Sequence, residues 1–81
     1  MSELELKWKK YGEKHLVGRK IVAVNYLQES DAKELGWYSR PILLELDDGT
    51  MVFPSKDDEG NDGGALFGVT KDEVSLTFPV L

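Results

Sequence analysis

Cysteine is absent from the chain and histidine occurs once, at His15. The first absence excludes disulfides, thiolate metal sites and thiol nucleophiles. The second excludes centres and acid–base pairs that require two imidazoles. Long apolar runs are missing too. The longest is the four-residue stretch Ile21–Val24, against roughly 18–20 residues for a helix that crosses a bilayer. The first ten residues alternate charged and apolar side chains and hold no signal-peptide core, so the expectation is a cytoplasmic protein with no membrane partner. Basic residues are outnumbered, 10 against 15 acids, for a net charge of -5. That balance disfavours a sequence-blind nucleic-acid binder.

What is present fits one domain, residues 1–81. A domain of this size hides only about 60–65% of its unfolded surface. With 41% hydrophobic residues, a thin core is feasible and a deep substrate pocket beside it is not expected. No internal repeat or low-complexity tract occurs.

The chain divides into short segments. Over residues 1–14, Leu4, Trp8 and Tyr11 recur at helical spacing and Ser2 with Glu5 fits a capping box, which predicts a short helix ending at Gly12. The alternation of Leu4, Leu6 and Trp8 leaves a strand or a flexible arm as alternatives. Arg19 to Leu27 is β-rich, with Ile21, Val22, Val24 and Tyr26. Both of its faces are apolar, the pattern of a central strand. Ser30–Gly36 reads as one or two helical turns, with Asp31 as cap and Gly36 as terminator.

Pro41 to Pro54 carries the clearest signal. Asp48-Gly49 suits a two-residue type I′ turn, which pairs Leu46 with Met51, Glu45 with Val52 and Leu44 with Phe53. In that register Ile42, Leu44, Leu46, Met51 and Phe53 share one face. Ser55 could cap a helical turn ending at Gly60, and residues 61–64 form a glycine-rich bend. Thr70–Glu73 reads as a second capped turn. Val74–Leu81 closes the chain as a strand that buries Val74, Leu76, Phe78 and Val80. The expected fold is mainly β with short helices, α+β in class: a small antiparallel β-barrel or roll, SH3-like in outline.

Few groups could carry chemistry. Asp57, Asp58, Glu59, Asn61 and Asp62 have the oxygen donors that calcium prefers. Neither possible starting position reproduces an EF-hand loop, however: counting from Asp58 puts Val69 at the glutamate position, and counting from Asp57 puts Gly68 there. A solvated cap and glycine turn accounts for the cluster without a metal. His15 sits in a charged stretch and reads as a surface or cap residue. Gly60–Gly64 lacks the strand–loop–helix context and the lysine of a phosphate-binding loop.

Charge is uneven along the chain. Residues 7–20 hold six bases and one acid, Glu13. With Trp8 and Tyr11 among them, this segment could track a nucleic-acid backbone or dock on an acidic surface. Trp37, Tyr38 and Arg40 are the residue types most enriched in interface hot spots, although Trp37 and Tyr38 could equally close one end of the core.

Two strings stand out: Leu16-Val-Gly-Arg-Lys-Ile-Val-Ala-Val-Asn-Tyr-Leu27 and Leu46-Asp-Asp-Gly-Thr-Met-Val-Phe-Pro-Ser-Lys-Asp-Asp-Glu-Gly-Asn61. Together with Gly64-Ala-Leu-Phe-Gly68, they resemble a family of small, single-domain, cytoplasmic bacterial proteins of unknown function. The resemblance covers roughly residues 16–68. It implies a bacterial setting and carries over no functional residue.

The leading expectation is a non-catalytic module that recognises a protein partner and needs no cofactor. A cation-binding or cation-stabilised domain using the 57–62 loop is the alternative. A small enzyme working through paired carboxylates, or a nucleic-acid binder using residues 7–20, ranks lower.

Overall fold

A computed structural model gives the fold and describes residues 2–55 and 63–81. Helix α1 spans Glu3–Leu16 and leads into strand β1, Ile21–Tyr26. A short helix α2, Glu29–Glu34, precedes strands β2 (Ile42–Leu46), β3 (Met51–Pro54), β4 (Leu66–Val69) and β5 (Ser75–Phe78). The five strands make one antiparallel sheet whose spatial order is their chain order. The mainly β, α+β class is as expected.

The sheet does not close into a barrel, in contrast to the expected barrel or SH3-like roll. Closure would require β1 to pair with β5. Each of them instead pairs, among the described residues, only with its chain neighbour. Helix α1 stands at the β5 end, with the Tyr11 ring 5.3 Å from that of Phe78.

The helix begins as the capping signal predicts: the Ser2 Oγ accepts the Glu5 amide at 3.1 Å, with Glu3 and Glu5 in the first turn. It runs past the expected stop at Gly12. A glycine inside a helix costs about 1 kcal/mol. Here the continuation brings His15 as well as Tyr11 onto Phe78, with ring centroids 6.2 and 5.3 Å away. Gly12 itself lies close enough to Phe78 that a Cβ would meet the ring at 4.0 Å. The chain leaves the helix through extended Val17 and through Gly18 at φ +80°.

Strand β1 is the sheet's edge and not its centre. Ile21, Val22, Val24 and Tyr26 remain 55–60% exposed, and a bulge lies between Ile21 and Ala23. Helix α2 starts at Glu29 with Gln28 at the cap position and no side-chain cap, so Asp31 falls within the first turn.

The hairpin is where the Asp-Gly signal puts it, shifted by one register. Leu44 pairs with Val52 and Glu45 with Met51. The Leu46 amide donates to the Thr50 carbonyl at 2.8 Å, and the Gly49 amide donates to the Leu46 carbonyl at 3.0 Å. These bonds define a three-residue loop in which Gly49 alone takes positive φ, +87°. A type I′ turn would have forced Asp48 into that region as well, at about 1–2 kcal/mol. The slip turns Met51 and Phe53 away from Leu44 and Leu46, and Val52 takes their place.

The core follows from this register. Val52, Gly68 and Leu76 lie side by side across β3, β4 and β5, all buried, with buried Leu46 and Thr50 on the same face of the sheet. Phe53 and Phe67 pair on the opposite face. The Thr70–Val74 segment is a hairpin turn and not a helical one. The Thr70 amide bonds the Val74 carbonyl at 2.9 Å, the Thr70 Oγ1 accepts the Val74 amide at 3.1 Å, and Glu73 takes φ +66°. Strand β5 is shorter than expected. It buries Leu76 and half-buries Phe78, and leaves Val74 and Val80 exposed.

Candidate interaction groove

Helix α2 ends in two bonds that reverse the chain: Gly36 N–H to the Lys33 carbonyl at 3.0 Å, and Trp37 N–H to the Ala32 carbonyl at 2.8 Å. With Gly36 at φ +78°, this is a Schellman termination. It sends Trp37 back onto the sheet. The indole stacks parallel to Phe67, with 6.2 Å between centroids and 9° between planes, and meets Phe53 edge-on at 6.1 Å. Phe53 and Phe67 complete the trio at 6.0 Å. Buried Leu27 and Ala32 lie on the chain leading to it.

Arg40 ties the same segment to the end of β1. Its Nε donates to the Leu27 carbonyl at 2.7 Å, and the Leu27 amide donates to the Pro41 carbonyl at 2.9 Å. Both backbone polar groups of buried Leu27 are therefore satisfied. Between these anchors, Tyr38 projects into solvent with its side chain wholly exposed.

Trp37, Tyr38 and Arg40 thus lie together, but in different roles. Trp37 is mainly a packing residue. Arg40 is a clamp whose side chain stays largely in solvent. Tyr38 makes no packing that would account for it. With Tyr26, Pro41, Ile42, Pro54 and Ser55 they line an open groove of about 770 Å³. Sequence reasoning assigned Tyr26 to a core strand and gave Pro41 and Pro54 no site role. The hairpin arithmetic held the missing signal: the two prolines bracket β2–β3, so pairing those strands brings both to one end of the hairpin, beside residues 37–40.

The remaining candidates stand apart from this groove. Asp57, Asp58, Glu59, Asn61 and Asp62 lie outside the described residues, as does the helical turn expected after Ser55. Ser55 itself donates its hydroxyl to the Ala65 carbonyl at 2.6 Å. Among the described residues, no three His, Cys, Asp or Glu side chains gather closely enough to hold a metal. In α1, Trp8 packs edge-on to Tyr11 at 5.4 Å, with Lys7 Nζ 5.0 Å from the indole. Tyr11 in turn packs on His15 at 4.8 Å. Tyr11 is thus packed between Trp8 and Phe78, while Trp8 itself stays half-exposed.

Arg19 lies 3.7 Å from both Asp47 and Asp48, which joins the start of β1 to the hairpin loop. The Thr50 amide, at 3.0 Å, and then the Thr50 hydroxyl hold the Asp48 carboxyl below its ordinary range, and Arg19 adds a smaller pull. This is loop-stabilising electrostatics. No described helix is long and apolar enough to cross a membrane. No family model, curated protein or solved structure matches the chain.

Proposed function

We propose that the protein is a non-catalytic interaction module that docks an extended segment of a protein partner in the groove around Trp37, Tyr38 and Arg40. One observation carries this reading. Tyr38 is fully solvated on a segment that is otherwise fastened at both ends, by the Trp37 stack and the Arg40–Leu27 bond. With its backbone anchored on both sides and only two side-chain torsions, Tyr38 has little conformational freedom to lose on binding, and it offers a large contact area. Prolines and aromatics beside it form the kind of surface that holds extended peptides, and the Arg40 guanidinium can donate to a partner carbonyl or carboxylate. The cytoplasmic, bacterial setting belongs to the same proposal and rests on the resemblance of residues 16–68.

The test is selection of binders from a displayed peptide library, followed by NMR titration of the full chain. The expected ligands shift the resonances of Trp37, Tyr38 and Arg40 and lose at least about tenfold in affinity against Tyr38→Ala, the loss of a hot-spot residue. Ligands that bind Tyr38→Ala as tightly as the parent protein would overturn the assignment.

A further inference from the structure

Strand β1 has the composition of a strand buried on both faces, yet it lies at the edge of the sheet. Ile21, Val22, Val24 and Tyr26 leave more than half of their surface in water. Exposed edges normally carry charge, proline, a bulge or a covering element. From Ile21 to Leu27 this one has no charged residue and no proline, and its bulge is confined to the Ile21/Ala23 end. The opposite edge differs: β5 carries Ser75 and Thr77 and has α1 packed beside it.

We propose that β1 pairs edge to edge with β1 of a second copy of this chain, antiparallel, to form one continuous sheet across a two-fold axis. The backbone permits it. The Leu27 amide points inward to Pro41, so by antiparallel alternation the Asn25 amide also faces β2, and those of Val24 and Tyr26 face outward. Joining the outward groups about Val24 sets Val24 opposite its own copy and brings the Tyr26 side chain beside the second copy's Val22, the residue at the bulge. The latter is an aromatic–β-branched pair of the kind that stabilises neighbouring strands.

Charge selects the same arrangement. Arg19, just before the strand, is already held by Asp47 and Asp48, which leaves Lys20 as the base at that end, and Glu29, Asp31 and Glu34 follow the strand. Antiparallel pairing brings Lys20 of each copy toward the acidic end of the other, twice. Parallel pairing would put like charges together. A second copy also explains why β1 reads as central: in the pair it is central, with a neighbour on each side.

The experiment is sedimentation equilibrium on the full chain across a concentration series, with Val24→Lys and Val24→Pro run alongside. The expected parent species at high concentration has twice the 9.1 kDa chain mass. Val24→Lys sets two ammonium groups facing each other at the axis. Val24→Pro removes an outward donor and leaves the inward bonds to β2 intact, a placement that edge strands tolerate. Each variant should shift the midpoint of association by at least about tenfold, with the amide spectrum of α1 and β2–β5 retained. A parent chain that sediments at 9.1 kDa at every concentration overturns the proposal. A dimer that survives in a folded Val24→Lys variant does so equally, even if Val24→Pro fails to fold.

Discussion

The Leu46 amide and the Thr50 carbonyl meet at 2.8 Å, and that single bond sets the register of the central hairpin. It encloses Asp47, Asp48 and Gly49, with Gly49 at φ +87° and the place of a Cβ only 3.0 Å from the Lys71 Cβ. A valine here meets an unfavourable backbone region and a neighbour together. We expect Gly49→Val to lose at least about 2 kcal/mol, since the left-handed region alone costs an L-residue roughly 1–2 kcal/mol. Urea unfolding measures this directly, and an unchanged midpoint would contradict the three-residue loop.

Signals carried by adjacent residues were legible before the fold. Ser2 with Glu5, Gly36 after α2, and Asp48-Gly49 between two apolar runs each act through bonds of three to five residues' span, so the local string specifies them. Register and strand order were not legible in the same way. Asp-Gly supports both a two- and a three-residue loop, and the choice between them reverses the faces of Met51, Val52 and Phe53. Whether β1 is central or an edge depends on partners distant in sequence, and its composition describes a burial that one copy does not supply. Of the candidate site, Trp37, Tyr38 and Arg40 could be named from residue type, but the division among packing, exposure and clamping comes from Phe67 and Leu27, both more than ten residues away.

Gly68 stands between Val52 and Leu76 in the middle of the buried row. A Cβ there would come within 2.9 Å of the Met51 carbonyl oxygen and 3.2 Å of Val52 Cγ1. Gly68→Ala should therefore destabilise by about 1–3 kcal/mol, the usual cost of overpacking. The nearest obstacle is backbone, so trimming the side chain beside it should not help. A Gly68→Ala substitution that costs nothing in a Val52→Ala background would show that crowding came from Val52 alone.

Trp37 and Tyr38 are adjacent in sequence and opposite in role. Trp37→Ala removes the stacking partner of Phe67 and the edge contact with Phe53. Since the indole is half-buried, its expected cost is about 2–4 kcal/mol, toward the lower part of the range for large aromatics. Tyr38→Ala touches no packed neighbour and should stay within about 0.5 kcal/mol of the parent. Chemical denaturation of the two variants side by side checks this. A large loss at Tyr38 would assign that ring to the core and remove it from the groove's binding surface.

The Asp48 carboxyl accepts the Thr50 amide and faces Arg19, so its charged form is favoured in the folded state and its pKa lies below the unfolded one. A depressed carboxylate contributes stability that is fully present above the unfolded pKa, near about pH 4. That contribution is lost as the pH falls through the folded value. Asn at this position keeps an oxygen for the Thr50 amide and removes only the charge. Parent and Asp48→Asn should therefore differ most at neutral pH, and the gap between their unfolding midpoints should narrow steadily below about pH 4. Added salt should shrink the part of the gap that comes from Arg19, since the pair is solvent-exposed. A gap that stays constant from neutral to strongly acidic pH would mean that the carboxylate's charge does not stabilise the loop.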